Sequence, residues 1–221
     1  MLRVHRLCKR YGGPRPRTVF AGVDLELEAG EYVAVMGESG CGKSTLLNLI
    51  AGLDRADEGT IELDGVELTT LDDDALTLVR RVRMGFVFQA FHVLPYLDVS
   101  ANVALPLSLL GVDGEVAQHR VRETLGAVGL ADRGGSPPRE LSGGELQRVA
   151  IARAIVHSPR LVLADEPTGN LDAESAAQVL RLLRAQISAN NAAGILVTHS
   201  SVAAATADRV LVLSPDGLRP K

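Results

Sequence analysis

The sequence predicts an α/β fold built on a mostly parallel sheet. Apolar runs at residues 32–37, 161–167, 194–199 and 209–214 are typical of strands that are covered on both faces. Helical stretches at residues 43–52, 144–157 and 173–190 lie between them. Strands that alternate with helices along a chain form a parallel sheet with helices packed on its faces. This alternation is the main evidence for the fold class.

Two segments depart from the alternation. Apolar and polar residues alternate at residues 2–4 and 23–27, which predicts antiparallel strands with one buried face. Residues 98–129 carry helical patterns without a strand, and a Gly/Pro-rich linker follows at residues 134–141. We therefore expect early antiparallel strands and a helical insert between two halves of an α/β core.

Three consecutive acids, Asp72, Asp73 and Asp74, precede the helical pattern ALTLVRRV. Such a cluster suggests either a metal site or the start of a helix. Aspartate is a good N-cap, and its charge is favourable near a helix N-terminus. We interpret these acids as a cap.

The composition limits the classes of partner. Hydrophobic residues make up 46% of the 221 residues, which is enough for a substantial core. A net charge of −4 and an aromatic content of 3% without Trp argue against a nucleic-acid partner. Cys8 and Cys41 have no metal-ligand spacing and fit a reducing, cytosolic compartment. No signal peptide and no apolar run of membrane-spanning length is evident.

A glycine-rich loop follows the first buried strand. Its sequence, GESGCGKST, satisfies the pattern G-x-x-x-x-G-K-[ST] between a predicted strand and a predicted helix. The glycines allow backbone N–H groups to point at phosphate oxygens, Lys43 can reach the β- and γ-phosphates, and the Ser44 hydroxyl can bind Mg²⁺. We predict that this phosphate loop binds a nucleotide through Gly37, Glu38, Ser39, Gly40, Cys41, Gly42, Lys43, Ser44 and Thr45, with Cys41 contributing only its backbone.

Polar side chains follow three other predicted strands. Asp165 ends LVLAD and is predicted to hold Mg²⁺ with Ser44, while Glu166 can polarise an attacking water as a general base. Adjacent residues at a strand end point to different sides, so the two carboxylates can have separate roles. Gln89 follows GFVF and can complete the metal or water shell, and His199 follows ILVT and can contact the γ-phosphate. Considered singly, each of these last two side chains is more often structural.

A pair of glycines, Gly143 and Gly144, opens the helical stretch in ELSGGELQRVAIARA. Glycine is a poor helix former, so the pair indicates either close backbone approach or exposed N–H groups. Together with the hydroxyl of Ser142 and a helix N-terminus, it predicts a second anion site, far along the chain from the phosphate loop.

These segments together resemble the ordered motif set of the ABC ATPases. GESGCGKST corresponds to the Walker A loop, Gln89 to the Q-loop, LSGGELQ to the signature, LVLADE to Walker B, GNLD at residues 169–172 to the D-loop, and His199 to the switch histidine. The resemblance runs from Tyr11 to the strand at residues 209–214 and implies ATP and Mg²⁺ as cofactors.

The resemblance also implies a role for the glycine pair. In ABC ATPases the signature of one subunit closes on the nucleotide held by its partner, so Ser142, Gly143 and Gly144 are expected to contact the γ-phosphate across a homodimer that forms on ATP binding. Asp172 is expected at the same interface. Tyr11 is expected to stack on adenine, although a core position is the alternative, and Val19 to support the base from a second side.

The family architecture is a P-loop NTPase with a RecA-like core, a small antiparallel β subdomain and a helical subdomain. The resemblance implies a single ABC ATPase domain over residues 1–221, with the core and antiparallel part in 1–88 and 158–221 and the helical, signature-bearing part in 89–157. It implies docking of a membrane permease near residues 89–100, where Phe91, Leu94 and Tyr96 are either anchors or core. The expected location is cytoplasmic, held to the inner face of the plasma membrane by the permease.

Within the family, PTGNLD and QAFHVLPYLDVSANVALPL most resemble the lipoprotein-release, macrolide-export and cell-division group. This implies an ATPase subunit that powers an exporter or a force-transmitting permease. The alternative is an ATP-dependent regulator of an envelope or division complex with no transported substrate. ABC proteins that act on DNA or ribosomes usually carry a coiled-coil insert or a second ATPase half, for which 221 residues leave no room. The transported substrate is expected to depend on the permease.

Overall fold

The computed structural model describes residues 1–12 and 17–221, which form two sheets and seven α-helices. The strands are β1 (Leu2–Tyr11), β2 (Arg17–Leu27), β3 (Tyr32–Met36), β4 (Glu58–Leu63), β5 (Val66–Glu67), β6 (Met84–Phe88), β7 (Leu161–Asp165), β8 (Ala193–Val197), β9 (Arg209–Ser214) and β10 (Gly217–Pro220). The helices are α1 (Lys43–Ile50), α2 (Asp73–Arg83), α3 (Val99–Leu109), α4 (Gly114–Ala127), α5 (Gly143–Ile155), α6 (Ala173–Ala189) and α7 (Ser201–Ala204).

The larger sheet has the strand order β10-β9-β3-β8-β7-β6. Its neighbouring strands pair in parallel, except that β10 pairs antiparallel with β9. The prediction of a mostly parallel sheet is therefore confirmed. Because the strands are parallel, the carboxyl ends of β3, β6, β7 and β8 lie at one edge, where ligands bind in open α/β sheets.

The smaller sheet has the order β2-β1-β4-β5 and is antiparallel throughout. The early alternation correctly predicted β1 and β2. The sequence patterns did not predict β4, β5 or β10. β4 and β10 carry few apolar residues, and β5 has two residues, so their pairing partners rather than a local pattern make them strands.

Buried side chains form two clusters, one on each face of the parallel sheet. Along β3, Val33 and Val35 join the cluster shared with α1 and the antiparallel sheet, while Tyr32 and Ala34 join the cluster shared with helices α3 to α6. This period of two is that of a strand covered on both faces. The predicted helical insert therefore shares its core with the sheet.

The cap predicted at the start of α2 is confirmed. The side chain of Asp72 accepts a hydrogen bond from the backbone N–H of Ala75, and Asp73 and Asp74 occupy the first turn. Arginines at the other end of the helix complement the helix dipole.

Within the described residues, no helix is both long enough and apolar enough to cross a lipid bilayer.

Helix α5 packs closely on β6 because Gly85 of β6 has no side chain. A Cβ atom placed on Gly85 would lie 2.1 Å from the carbonyl oxygen of Ala154 and 3.2 Å from the side chain of Pro159. Backbone atoms of a helix and a strand cannot yield easily, so only glycine allows this approach. β6 therefore holds α5, which begins at the signature glycines, close to the parallel sheet.

Gly85→Ala should lower the free energy of unfolding by about 1–3 kcal/mol, the usual cost of overpacking. Gly126→Ala is the matched control, because Gly126 lies in α4 with no atom within 4 Å of the added Cβ. That change should leave stability unchanged or raise it by up to about 1 kcal/mol through helix propensity. Urea unfolding of both variants measures the difference, and equal effects would contradict the tight contact between α5 and β6.

Candidate functional site

The phosphate loop, residues 37–45, joins the end of β3 to the start of α1. Gly37, Gly40 and Gly42 have φ values of 157°, 76° and 102°, which side chains rarely adopt. A Cβ on Gly42 would lie 2.3 Å from Val19, and one on Gly37 would lie 2.6 Å from the sulfur of Cys41. Each of these two glycines therefore has both a conformational and a steric reason to be glycine.

The N-terminus of α1 is open to an anion. Gly42 is the N-cap residue, so no side chain caps the helix, and its first turn carries no acidic residue. The Lys43 ammonium donates to the carbonyl oxygens of Gly37 and Glu38, each at 2.9 Å. A helix dipole, uncapped N–H groups and a cation thus converge on the loop.

A cavity of about 340 Å³ lies against the phosphate loop, a size typical of small-molecule sites. It brings together residues from the antiparallel sheet, the loop and the end of β7, namely Tyr11, Arg17, Val19, Ser39, Gly40, Gly42, Lys43, Ser44, Thr45, Asp165 and Glu166. We call it the nucleotide cavity. Gly37, Glu38 and Cys41 belong to the loop but not to this lining. The Cys41 side chain packs against the core next to Gly37, as its passive role requires.

Asp165 ends β7 at the inner part of this cavity. Burial raises the pKa of its carboxyl, and a hydrogen bond with the Ser44 side chain opposes that rise. Asp165 and Ser44 both line the cavity, and their side-chain oxygen atoms are the donor type that Mg²⁺ prefers. These residues fit the metal that the sequence motif implies.

Glu166 follows Asp165 in a left-handed conformation with φ of 46°. Its carboxylate accepts hydrogen bonds from the Thr198 hydroxyl at 3.2 Å and from the backbone N–H of His199 at 3.0 Å. The Nδ1 atom of His199 lies 2.8 Å from the same carboxylate. The two polar residues predicted at the ends of β7 and β8 are thus direct partners, and the neighbouring carboxylates have different surroundings.

Gln89 lies against the GNLD segment. Its Nε2 atom donates to Oδ1 of Asn170, and Nδ2 of Asn170 donates back to the Gln89 carbonyl, each at 3.0 Å. A Cβ on Gly169 would lie 2.6 Å from Nε2 of Gln89, so a larger residue there would require the Gln89 side chain to shift. The structure therefore joins the Q-loop to the D-loop, and Oε1 is the Gln89 atom suited to a metal.

Ser142 is the N-cap of α5 and forms a capping box with Glu145. The backbone N–H and the hydroxyl of Ser142 both donate to the Glu145 carboxylate at 2.8 Å, and these bonds lower the pKa of that carboxyl. A Cβ on Gly143 would lie 3.3 Å from Leu171, and one on Gly144 would lie 3.3 Å from Ser175. The glycine pair thus allows α5 to approach the segment that leads into α6.

The remaining predicted residues lie outside the nucleotide cavity. Among the described residues, Gln89, Ser142, Gly143, Gly144, Asp172 and His199 are absent from its lining. Asp172 is exposed and caps α6 by accepting hydrogen bonds from the N–H groups of Glu174 and Ser175, which lower the pKa of its carboxyl. The signature residues of a chain thus do not line the cavity at its own phosphate loop.

Tyr11 is 47% exposed and lines the cavity, so the alternative of a core position is wrong. Val19 is buried and packs on Gly42 at the cavity wall. Sequence reasoning missed Arg17, whose guanidinium donates to the Gly40 carbonyl at 2.8 Å, because no motif includes it. It also gave no role to Asn170, although the GNLD segment was identified.

Comparison with known proteins agrees with this geometry. The family model described as "ABC transporter" matches residues 20–169. The lipoprotein-releasing system ATP-binding protein LolD of Chromohalobacter salexigens is 46% identical over 96% of this chain and 90% of its own length. The macrolide export ATP-binding/permease protein MacB of Salmonella typhimurium is 43% identical over 90% of this chain, which spans 31% of that longer protein.

A solved structure extends the likeness to three dimensions. The ATP-binding cassette MJ0796, in a dimeric post-hydrolysis state bound to ADP and Pi, superposes with a TM-score of 0.88 at 36% identity. The match covers 99% of this chain and 96% of that one. The chain therefore belongs to the ABC transporter family.

Proposed function

We propose that this chain is the ATP-hydrolysing subunit of a membrane transporter of the lipoprotein-release and macrolide-export type, and that two copies close on two ATP molecules. This proposal rests on the observation that the predicted site residues lie on two separate parts of the chain. The phosphate loop, Asp165 and Glu166 share one cavity, whereas the signature residues lie outside it on the same chain. A second copy is needed to supply the missing side.

The roles of the cavity residues follow from their positions. The N–H groups of residues 37–45 and the Lys43 ammonium hold the phosphates, and Lys43 exchanges its carbonyl partners for phosphate oxygens. Ser44, Asp165 and Oε1 of Gln89 would hold Mg²⁺, which when bound neutralises charge on the β- and γ-phosphates. Glu166 accepts a proton from the attacking water.

His199 and the signature act on the γ-phosphate. His199 already contacts Glu166, the proposed base, and this contact supports its role beside the γ-phosphate. The Ser142 hydroxyl turns from Glu145 to the phosphate of the partner's ATP, and the N–H groups at the start of α5 add to this contact. Asp172 faces the same interface.

The helical part, which we assign to residues 89–157, also offers a docking groove. A groove of about 470 Å³ runs between α2, β6, α3 and α5. Its floor includes the stacked rings of Phe86 and Phe88, and Arg81 and Arg153 also line it. This chemistry fits a cytosolic permease helix with an apolar face and acidic flanks. MacB, whose name combines an ATP-binding protein with a permease, supports such a partner.

The segment predicted to meet the permease, residues 89–100, contributes one residue to this groove. His92 lines it, and Tyr96 is 96% exposed, so Tyr96 is available as an anchor and is not core. Phe91 and His92 have left-handed backbones, and Arg153 of α5 donates to both of their carbonyl oxygens. A displaced permease helix would thus pull on the helix that begins at the signature. We place the chain on the cytoplasmic face of the membrane.

Glu166→Gln should reduce ATP turnover by about 100-fold or more, because general-base catalysis typically contributes 10²–10⁴-fold. ATP binding should persist, so an ATP-bound dimer should accumulate. Light scattering with and without ATP and Mg²⁺ measures the mass, and phosphate release measures turnover. Glu115→Gln, on the exposed side of α4, is the control and should behave as wild type. Unchanged turnover would remove Glu166 from its role.

A matched pair at Ser142 tests the shared site. Aspartate and asparagine are equally good N-caps, and thermal unfolding of both monomers checks that α5 stays intact, because the aspartate carboxylate would also lie beside that of Glu145. Ser142→Asp places a carboxylate where the partner's γ-phosphate would lie and should prevent ATP-driven dimerisation in the Glu166→Gln background. Ser142→Asn should retain it. ATP affinity of the monomer should be the same in both, and dimerisation of the aspartate variant would contradict the shared site.

Leu109 tests the docking groove, because it is 61% exposed at the groove edge and can be changed without disturbing the core. Leu109→Glu should abolish co-purification with the permease from detergent-solubilised membranes while leaving the fold intact. Val116→Glu is the control, since Val116 is 46% exposed on α4 and outside the groove. Equal recovery of the permease by both variants would place docking elsewhere.

A further inference from the structure

A buried lysine lies behind the tyrosine of the nucleotide cavity. Lys9 and Tyr11 are two residues apart on β1, so their side chains point to the same face. Lys9 is 7% exposed, and its Nζ atom lies over the Tyr11 ring, 4.9 Å from the centroid. Tyr11 is half exposed and lines the cavity. The cation therefore lies over one face of the ring, and the exposed part of the same side chain lines the cavity.

Both side chains are fixed by the same carboxylate. The Lys9 ammonium donates to Oδ1 of Asp54 and to the Arg55 carbonyl, each at 2.7 Å. The Tyr11 hydroxyl donates to Oδ2 of Asp54 at 3.1 Å. Burial raises the pKa of Asp54, but hydrogen bonds from Lys9, the Arg55 backbone and Tyr11 outweigh it and lower the pKa. Asp54 thus stays ionised and holds the ring and the cation together.

Stability alone gives little reason for this ion pair. The buried Lys9 ammonium loses its hydration while the Asp54 side chain stays 31% exposed, and a well-packed apolar residue in place of such a buried cation often serves as well or better. The pair lies directly behind the ring that faces the phosphate loop. A function at that ring accounts for its position.

We propose that Lys9 and Asp54 are positioning residues for the nucleotide base, which rests on the proposed ATP function and on stacking at Tyr11. Asp54 fixes the plane of the ring. Lys9 acts through the ring, because the faces of two aromatic systems both carry negative potential and repel when stacked face to face. A cation behind one ring is attracted to that potential and offsets it. The exposed face of Tyr11 therefore becomes a better surface for an electron-rich purine.

Two probes separate this role from general support of the site. ATP carries a base, whereas inorganic tripolyphosphate can fill the phosphate loop without one. The variants are Lys9→Met and the double variant Lys9→Met/Asp54→Asn, which removes both charges and leaves no buried charge unpaired. The asparagine amide can accept from the Arg55 N–H through its oxygen and donate to the Tyr11 hydroxyl through its nitrogen, so the double variant removes the charge while keeping a hydrogen bond to the ring. Tyr11→Ala removes the ring itself.

The double variant should bind ATP about three- to tenfold more weakly, the range expected for loss of a cation behind a ring. Its affinity for tripolyphosphate should equal that of wild type. In steady-state assays the rise in KM for ATP should exceed any fall in kcat. Thermal unfolding checks that each variant is folded.

An unchanged ATP affinity in the double variant would overturn the proposal, as would an equal loss for both probes, which would indicate a structural role. Failure of the proposed ATP function would give a different result from failure of this inference. If Tyr11→Ala binds ATP like wild type, the base does not stack there, and if wild type binds tripolyphosphate as tightly as ATP, the cavity does not recognise a base at all.

Discussion

The carboxyl ends of β3, β6, β7 and β8 meet at one edge of a parallel sheet, and the positions of the phosphate loop, Gln89, Asp165, Glu166 and His199 depend on that constraint. The phosphate loop, Gln89, Asp165 and His199 come from parts of the chain that are far apart in sequence. Each lies at the end of a strand whose own side chains are buried on both faces of the sheet. The apolar core thus sets the directions of the strands, and the strand directions set the positions of the chemical groups.

The loops at this edge are tied to one another rather than independent. His199 is bonded to Glu166, and Gln89 is bonded to Asn170 next to the residues that meet α5. Arg153 adds a link from the docking groove to α5. A change at the nucleotide can therefore reach the groove through a short series of contacts.

The two ends of the nucleotide cavity present different kinds of chemical group. Around the phosphate loop, left-handed glycines and an uncapped helix N-terminus supply N–H groups, so the affinity for phosphate is built into the backbone. At the other end a tyrosine ring lies over a buried cation, so that surface depends on side chains from β1 and from the loop after α1. The backbone contacts suit any polyphosphate, whereas discrimination between bases is the role that we propose for the ring. A site divided in this way would separate affinity for phosphate from selectivity for the base.

The sequence by itself determined the strands with continuous apolar runs, the phosphate loop and the cap at Asp72, because each depends on neighbours along the chain. It also placed Asp165 and Glu166 at a strand end. Only the tertiary structure decided that β4, β5 and β10 are strands, that the signature glycines face the start of α6, and that Lys9 lies behind Tyr11. Asp54, which holds that pair, is 45 residues from Lys9. Contacts between segments that are distant in sequence do not change the hydrophobic pattern of either segment. They can therefore be identified only in the folded structure.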